Sequence, residues 1–569
     1  MMSEETTAPR VGVFVCHCGV NIGGVVDVPS VVEYSKTIPG VVYAEANLYT
    51  CSSDGLNKLK EAIKGHKLDR VVVASCTPRT HEPLFRATCE EAGINKYLFE
   101  MANIRDQCSW VHMHEPEKAT EKAKVLVRMA VAKALLLEPQ EEPEIEVEPS
   151  ALIIGGGIAG MTAALSLAEQ GFQVHLVEKQ SELGGMLLRL DKLFPLDRDS
   201  LELLKPKIDA VKSNPNIRIH TTSMVKSAKG FIGNFEVEIE SQKGEIERIR
   251  VGTIIVATGM ASLEPVGLYN YGSDERIITQ LQLEKILKTG GPEGVRTVVM
   301  IQCVGSRNEE RPYCSRICCN EAVKNARLLK RSDRVRDVYI LYRDLQAYGT
   351  RYSPLERIAK RQGVKMINYQ QEKPPQVVSE KDAVVVKVFS PLLDEEMTVK
   401  ADLLVLSTPL IPTEEAGGLS QTLKVPLGSD GFFMEAHVKL RPVDFPTGGI
   451  YVCGTAQGPK DIPESIAQAY AAASRAAIPM TLRKVRAEAI TASVNEELCI
   501  RCGRCEEVCE FNAITVEVVE SGKMTTRVNE ILCKGCGVCS VTCPTGAITM
   551  RHFNNKQIYA MLEAVLRGH

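Results

Sequence analysis

Short apolar runs alternate with helical stretches over the first part of the chain. The runs VGVFVC, VVYAEAN and RVVVAS are typical of buried strands, and the later stretch EKATEKAKVLVRMAVAKALLL predicts a long helix. Strands that alternate with helices predict a small parallel α/β layer, which we assign to residues 1–137. The Pro- and Glu-rich segment 138–149 then predicts an exposed linker.

A second alternating region begins at residue 150. The run ALII, the glycine turn GGGIAG, the apolar stretch MTAALSLAEQ and the run FQVHLVEK predict a strand, a tight turn, a helix and a second strand. Glycines let the main chain approach a pyrophosphate, the helix N-terminus carries partial positive charge, and an acid at the second strand end binds a ribose hydroxyl. The residues of this predicted dinucleotide site are Gly155, Gly157, Ile158, Ala159, Gly160, Glu178 and Lys179. The alternative is a βαβ unit without a ligand.

Three later segments indicate which dinucleotide binds. The segments SELGGML, TIIVATGM and GGIYVCGTAQGPKDIPESIAQAYAAASRA resemble those of FAD-containing flavoproteins of the thioredoxin reductase type, which have two dinucleotide-binding units. The resemblance implies a flavin domain over 150–485 and a helix N-terminus near Ile462–Ser465 that faces the isoalloxazine. It implies FAD contacts at Gly184, Gly185, Met186, Ala257, Thr258, Gly259, Gly454, Thr455, Lys460, Ile462 and Ser465. Many members have Asp where Thr455 stands, so the contact to the ribityl chain departs from their pattern.

The second dinucleotide unit of such reductases corresponds to about residues 290–410. Its strand RTVVMIQCV should lead into a second glycine turn, but the chain continues as CVGSRNEERPYCSRICC before the helix NEAVKNARLLKR. We interpret this unit as one that has lost nicotinamide and gained a [4Fe–4S] cluster, held by Cys303, Cys314, Cys318 and Cys319. The alternative is a redox disulfide such as Cys314–Cys318, although the C-x2-C of thioredoxin reductases is absent.

Two copies of C-x2-C-x2-C-x3-C follow in the C-terminal region 486–569. This spacing strongly resembles that of bacterial two-cluster ferredoxins, in which the fourth cysteine of each copy binds the other cluster. The pattern therefore predicts one [4Fe–4S] cluster on Cys499, Cys502, Cys505 and Cys543, and another on Cys533, Cys536, Cys539 and Cys509. Zinc is the rival metal, but the doubled rhythm fits it poorly. The segment NKQIYAMLEAVLRG predicts a terminal amphipathic helix after this α+β ferredoxin domain.

Composition excludes several classes of protein. The net charge is −3, and no run of Lys or Arg indicates nucleic acid or a membrane surface. No apolar stretch is long enough to span a bilayer, and the polar start MMSEETTAPR has no signal core, so we expect a cytoplasmic protein. The 19 cysteines, mostly in tight groups, then indicate metal ligation rather than disulfides, with Cys89 and Cys453 as free buried thiols.

Cysteines also follow the predicted strands of the N-terminal layer. Carboxyl ends of parallel strands meet at one edge of a sheet, so these cysteines should converge there. One interpretation is a further [4Fe–4S] cluster that uses some of Cys16, Cys18, Cys51, Cys76 and Cys108, with Cys16, Cys51, Cys76 and Cys108 as the preferred set. The alternative is a cysteine-bearing interface or a loop that faces the flavin. His81 is a candidate ligand, but its loop position is more typical of a hydrogen-bonded residue.

Taken in order along nearly the whole chain, the motifs closely resemble the A-subunit family of heterodisulfide reductases. They are CHCGVNI, CTPRTHEPLF, the FAD glycines, CVGSR with YCSRICC, GPKDIPESIAQA and the doubled ferredoxin pattern. The resemblance implies an α/β flavoprotein with several clusters that passes electrons within a complex, often with electron bifurcation. Many methanogen members of this family carry an additional inserted ferredoxin, which this chain lacks, so it is expected to serve another terminal enzyme of quinone, sulfur or benzoyl-CoA metabolism.

The resemblance also implies partners. They are B-like and C-like subunits of heterodisulfide reductase, a hydrogenase or formate dehydrogenase delta-like subunit, ferredoxin, and a second copy of this chain. No catalytic acid–base pair stands out, so a partner is expected to handle the terminal substrate. Two other hypotheses stay open: a self-contained NAD(P)H- or disulfide-reducing flavoenzyme with an attached ferredoxin, and a scaffold without cofactors.

Overall fold

The computed structural model describes residues 8–331, 334–518 and 524–566, which form two compact units. The first unit combines Met1–Glu144 with Arg486–His569, and the second comprises Ile145–Val485. The predicted N-terminal and ferredoxin domains therefore share one unit. Two short strands, Glu144–Glu146 and Lys484–Arg486, lie where the chain passes from one unit to the other. In the part of the chain that the structure describes, we find no helix with the length and apolar character of a membrane span.

A four-stranded parallel sheet forms the N-terminal layer. Its strands, in spatial order, are Val41–Asn47, Val11–Cys16, Arg70–Ser75 and Phe99–Asn103. The helices around it are Val28–Lys36, Ser53–Gly65, Pro78–Glu91 and Pro116–Ala134, with a 3-10 turn at Gly19–Asn21 and a π-helical turn at Arg105–Ser109. Asp27 and Ser52 begin the first two helices, because their side chains accept from main-chain N–H groups three residues on. The parallel arrangement brings the carboxyl ends of all four strands to one edge.

The C-terminal part is built from short elements around two small helices. The strands Ala492–Val494 and Ile548–Met550 pair, as do Ile514–Val518 and Met524–Val528. The small helices are Arg504–Glu507 and Val538–Thr542, each preceded by a glycine in the left-handed region. The terminal helix Asn555–Leu566 packs on Pro116–Ala134 of the N-terminal layer.

Buried charge fixes this terminal segment against the N-terminal layer. Lys133, whose side chain is only 2% exposed, places its ammonium 2.9 Å from the carboxylate of Glu100. The Nε2 atom of His552 lies 3.3 Å from the same Glu100 oxygen, and the ammonium lies 3.7 Å from the centre of the Phe553 ring. Paired, hydrogen-bonded charges of this kind tolerate burial, but loss of one partner leaves the other uncompensated.

The second unit contains two five-stranded parallel sheets. The first, in spatial order, consists of Ile217–His220, Gln173–Val177, Ser150–Ile154, Thr253–Val256 and Ile450–Val452. Its helices are Ile158–Glu169, Ser200–Ser213 and Ile462–Leu482. The antiparallel strands Ser223–Phe231, Asn234–Ser241 and Ile246–Val251 form an attached sheet. Ile158–Glu169 packs on Ile462–Leu482, where buried alanines of both helices permit close approach.

The second parallel sheet begins before the predicted residue 290. Its strands, in spatial order, are Ile277–Thr279, Leu403–Leu406, Thr297–Ile301, Asp337–Tyr342 and Val364–Asn368. Ile277–Thr279 belongs to it because it pairs with Leu403–Leu406. The helices are Gln280–Lys288, Cys318–Lys330 and Ser353–Arg361, and the antiparallel strands are Gln376–Ser379, Val384–Ser390 and Glu395–Ala401. Helix Ala416–Leu423 packs instead on strand Ser223–Phe231 of the sheet attached to the first parallel sheet. The remaining short elements are Gly185–Arg189, Lys192–Leu193, Arg198–Asp199, Ala261–Ser262, Leu410–Ile411 and Gly454–Ala456.

A histidine pair on neighbouring strands of the first sheet predicts a loss of stability in acid. His175 Nδ1 lies 3.1 Å from His220 Nε2, and burial, together with the His220 charge, lowers the pKa of His175 to about 4. In the unfolded chain His175 takes up a proton near pH 6.5, so the unfolded state binds more protons between these values. The free energy of unfolding should therefore fall, by about 3 kcal/mol at most, as pH drops from 6.5 to 4. Urea unfolding across this range checks it; a His175→Gln variant with the same slope would contradict it.

Candidate cofactor sites

The glycine turn after strand Ser150–Ile154 leaves room for a ligand at one of the three glycines of its G-x-G-x-x-G pattern. A Cβ atom built on Gly155, whose φ is +112°, would lie 2.3 Å from the carbonyl oxygen of Ala257, and one built on Gly160 would lie 1.8 Å from that of Gly155. At Gly157, by contrast, no other described heavy atom lies within 4 Å of such a Cβ. The chain itself thus requires Gly155 and Gly160, whereas Gly157 opens on the space where a pyrophosphate would approach the main chain. Gly157 directly precedes the helix Ile158–Glu169, so the turn fits a dinucleotide.

Glu178 is buried at the end of strand Gln173–Val177 and faces the same turn. Its Oε2 accepts from Gly156 N at 2.7 Å and its Oε1 accepts from Gln180 N at 2.8 Å. Each carboxylate oxygen retains a lone pair that can accept from a ribose hydroxyl. Lys179, in contrast, forms an ion pair with Glu415 at 2.6 Å.

Gly184 and Gly185, for which the resemblance implies FAD contacts, lie beside the glycine turn. Gly184 N donates to Gly156 O at 2.9 Å, and a Cβ built on Gly185 would approach Gly157 Cα to 3.2 Å. Met186 follows, half-buried, in the short helix Gly185–Arg189. This segment therefore borders the open space at Gly157.

The main chain passes beside the glycine turn directly after strand Thr253–Val256, at Ala257, Thr258 and Gly259. The hydroxyl of Thr258 is buried and has no hydrogen-bond partner among the described residues. Because buried hydroxyls are nearly always paired, this group fits a bound ligand. A Cβ built on Gly259 would lie 3.9 Å from Thr455 Oγ1, so the crossing also adjoins the last FAD motif.

The start of helix Ile462–Leu482 differs from the expectation. Asp461 and Glu464 form a capping box, in which Asp461 Oδ1 accepts from Glu464 N at 2.8 Å and Glu464 Oε2 accepts from Asp461 N at 3.0 Å. Ser465, which is buried, donates its hydroxyl to Asp461 O at 2.7 Å. The predicted helix N-terminus is thus already capped by a carboxylate of its own and is less available to a flavin.

The fixed positive charge in this segment belongs to Lys460. Its ammonium donates to the carbonyl oxygens of Gly454 and Gly458 and to Gln457 Oε1, at 2.8–2.9 Å. Burial lowers the pKa of Lys460 to about 8. Lys460 therefore holds the Gly454 turn and carries charge beside the predicted FAD contacts.

The structure brings together the four cysteines of the second dinucleotide unit (about residues 290–410), which is called the middle unit below. Cys303 follows strand Thr297–Ile301 with a φ of +61°, and Cys318 and Cys319 are the first residues of helix Cys318–Lys330. Burial raises the pKa of the Cys318 thiol, and neighbouring thiols raise it further: Cys319, Cys314 and Cys303. Cys314 Sγ accepts from Arg316 N at 3.3 Å.

Buried polar groups beside these cysteines lack partners. Both amide atoms of Gln302 and the Oδ1 atom of Asn320 are buried without a hydrogen bond to any described residue. Four clustered thiols beside an unpartnered amide donor, Gln302 Nε2, fit an iron–sulfur cluster, because its sulfides accept hydrogen bonds.

Arg343 occupies the position at which a Rossmann unit recognises a ribose, the end of the second strand. Its guanidinium instead donates to the carbonyl oxygens of Ser306 at 2.8 Å and Arg307 at 3.1 Å, so it ties down the loop after Cys303. Arg343, the residue at the ribose position, is therefore bound to the loop after Cys303. This feature was not predicted, since the sequence shows the arginine but not its direction.

Each ferredoxin motif contributes to two cavities. One cavity is lined by Cys499, Cys502, Cys505 and Cys543, and the other by Cys509, Cys533, Cys536 and Cys539. These are the two predicted ligand sets, with the fourth cysteine exchanged between motifs. Across the described ranges, no three His, Cys, Asp or Glu side chains converge as ligands of a single ion would; the four thiols of each set surround a space instead. That arrangement fits a cubane.

The N-terminal cysteines form a group with a different membership from the preferred set. Burial raises the pKa of the Cys76 thiol, the Arg105 guanidinium lowers it, and three neighbouring thiols raise it again: Cys16, Cys51 and Cys18. Cys108 lies apart, because its buried thiol donates to Ala119 O at 3.0 Å. Cys18 thus takes the place expected for Cys108. The motif CHC, which begins with the last residue of the first strand, carried that signal.

Unpartnered polar groups also surround the N-terminal cysteines. Each is buried near a carboxyl end of the sheet and has no hydrogen-bond partner among the residues described: His17 Nδ1, Asn47 Nδ2, Thr50 Oγ1 and Ser75 Oγ. They fit a group bound by the four thiols. His81 is half-buried, and burial, followed by the Arg105 charge, lowers its pKa.

Comparison with known proteins identifies two families along the chain. Residues 149–476 match the model of pyridine nucleotide-disulphide oxidoreductases, and residues 492–550 match that of the 4Fe-4S dicluster domain. Together with the two parallel sheets, these matches confirm the predicted fold class, a two-unit flavoprotein core with a C-terminal ferredoxin. The thioredoxin reductase of T. acidophilum is similar in structure, with a TM-score of 0.41 and 18% identity over 58% of this chain and 98% of that one.

Relatives match nearly the full length. The first iron-sulfur A subunit of the CoB--CoM heterodisulfide reductase of Methanopyrus kandleri is 42% identical over 98% of both chains. The A subunit of the H(2):CoB-CoM heterodisulfide,ferredoxin reductase of Methanothermobacter marburgensis is 41% identical over 99% of this chain and 98% of its own. The match to the Methanopyrus protein spans 656 positions, more than the 569 residues of this chain, so that protein has residues that this chain lacks.

Proposed function

Since the chain belongs to the A-subunit family of heterodisulfide reductases, we propose that it carries electrons between a flavin and partner subunits through iron–sulfur clusters. Bound FAD supplies two-electron chemistry and bound [4Fe–4S] clusters supply one-electron transfer. The residues that hold the FAD are those around the glycine turn, above all Gly157, Glu178 and Thr258. The four cysteine groups hold the clusters.

One contact supports this function most directly. Arg316 links the cysteine loop after strand Thr297–Ile301 to Pro459 and Glu464, which lie within the last FAD motif. Its main-chain N–H donates to Cys314 Sγ at 3.3 Å, while its guanidinium donates to Pro459 O at 3.1 Å and pairs with Glu464 at 2.5 Å. Arg316 thus connects Cys314, one of the four proposed ligands, with the segment proposed to hold the FAD, which supports a relay from flavin to cluster.

The names of the relatives support a choice of partners. The Methanothermobacter protein is named for hydrogen, a CoB-CoM heterodisulfide and ferredoxin. We propose that this chain works with B- and C-like subunits, with ferredoxin and with a hydrogenase- or formate dehydrogenase-associated protein, as a homodimer within the complex. Electron bifurcation at the flavin is part of the same proposal.

Anaerobic quantitation of flavin, iron and sulfide on the purified full chain tests the function. We expect one FAD and about sixteen iron atoms per chain, since four cysteine groups each hold about four iron atoms. About twelve iron atoms would remove the N-terminal cluster from the proposal, and about eight would remove the middle one as well. A chain free of flavin would support the scaffold hypothesis instead.

The self-contained NAD(P)H-dependent reductase is the second candidate function. The sequence of the middle unit lacks the second glycine turn that would bind its nucleotide. The cysteine loop lies where a second nucleotide turn would lie, and Arg343, at the ribose position, binds that loop. NADPH added anaerobically to the FAD-loaded chain is therefore expected to leave the flavin spectrum unchanged. Rapid bleaching would restore that candidate.

A further inference from the structure

Arg307 lies beside a sulfur of the middle cysteine group. Its Nη1 atom donates to Cys303 Sγ at 3.9 Å, within range for a sulfur acceptor. The side chain is 29% exposed, so solvent screens its charge only partly. Its φ is +56°, a conformation that ordinary residues rarely adopt, and Arg343 holds its carbonyl oxygen at 3.1 Å.

Asp344 holds the guanidinium from the opposite side. Its carboxylate accepts from both terminal nitrogens of Arg307, with Nη2 at 3.2 Å from Oδ2. This fork-to-fork pairing fixes the guanidinium in direction as well as in place. A cation and an anion therefore stand in line next to Cys303, with the cation nearer the sulfur.

We propose that Arg307 and Asp344 set the reduction potential of the cluster held by Cys303, Cys314, Cys318 and Cys319, with opposite signs. The inference rests on the cluster assigned to these cysteines under the proposed function. On reduction the cluster gains one electron and no bond to the chain forms or breaks, so its net charge becomes more negative. The positive charge and the N–H donor of Arg307 stabilise that reduced form and raise the potential, whereas the carboxylate of Asp344 lowers it.

The test is an anaerobic redox titration of the purified full chain, monitored by electron paramagnetic resonance. The signal of the middle cluster is identified as the one absent from a Cys314→Ala variant. For Arg307→Gln we expect a lower midpoint, by about tenfold in the one-electron equilibrium, which corresponds to about 59 mV. Asp344→Asn, whose amide oxygen still accepts from Arg307, should raise the midpoint. Arg307→Lys should fall between Arg307→Gln and the wild type, since it keeps the charge but loses the fork.

The controls separate tuning from a structural role. Arg311→Gln removes a charge from the same loop whose described ion pair is with Glu310, and it should leave the midpoint unchanged. The ferredoxin clusters of the same molecules provide a second reference that should not move. Shifts of equal sign in Arg307→Gln and Asp344→Asn, or no shift in either, would overturn the inference. If the wild type and the Cys314→Ala variant give identical signals and iron content, the proposed cluster itself is wrong.

Discussion

A Gly157→Ala variant should fold like the wild type and bind FAD at least about tenfold more weakly. The backbone at Gly157 is extended, with φ −75° and ψ −175°, so alanine is tolerated there without strain. Its methyl group would enter the space that no described atom fills, where a pyrophosphate would lie against the main chain. An extra methyl in a filled contact costs about 1–3 kcal/mol, which corresponds to about tenfold or more in affinity. FAD titration of the apoprotein and urea unfolding of the same sample measure the two quantities.

Two other glycine variants show whether the effect belongs to the ligand. Gly160→Ala places a methyl group against the carbonyl oxygen of Gly155, so it should lower both FAD binding and the free energy of unfolding. Gly65→Ala, in a helix of the other unit with free space around it, should leave FAD binding unchanged and should not lower the free energy of unfolding, which alanine raises by at most about 1 kcal/mol at such a position. Normal FAD affinity in Gly157→Ala would show that the dinucleotide does not approach this turn.

Loss of single ferredoxin cysteines should reveal which thiols share a cluster. Cys509→Ala is expected to remove about four iron atoms, since a cubane with three remaining thiolates is poorly held. Adding Cys536→Ala should remove few further iron atoms, because both cysteines line the same cavity. Adding Cys502→Ala should instead cost about four further iron atoms, because that residue lines the other cavity.

Iron and sulfide quantitation, together with the number of electron paramagnetic resonance signals, measures these losses. Cys453→Ala serves as the control, since that buried thiol belongs to neither cavity and should leave the iron content unchanged. If Cys509→Ala combined with Cys502→Ala lost only about four iron atoms, the exchange of fourth cysteines between the motifs would be wrong.

Sites made by contiguous residues were predictable from the sequence. The glycine turn and the ferredoxin motifs depend on spacing within a few residues, so their geometry is encoded locally. The capping box at Asp461 and Glu464 was equally readable, since an N-cap residue followed three positions later by Glu is its signature. The expectation that the helix N-terminus near Ile462–Ser465 faces the isoalloxazine did not take this capping box into account.

Sites made by separate strands were predictable only in outline. Convergence of strand ends placed the N-terminal cysteines at one edge, but it could not rank Cys18 against Cys108. Cys108 lies in the π-helical turn Arg105–Ser109, whose wider pitch no propensity predicts, and its thiol reaches Ala119 instead. The orientations of Arg307, Arg316 and Arg343 likewise depend on acceptors that the sequence alone does not bring near.

The buried contacts among Lys133, Glu100 and His552 limit how this protein can be dissected. Excision of the ferredoxin would remove His552 from Glu100 and uncover the helix on which Asn555–Leu566 rests, so the N-terminal layer would lose a hydrogen-bond partner and a packed neighbour together. The clusters at the C-terminus are therefore not carried by a detachable module. The N-terminal layer and the ferredoxin region form one compact unit, although the flavin domain lies between them in the sequence.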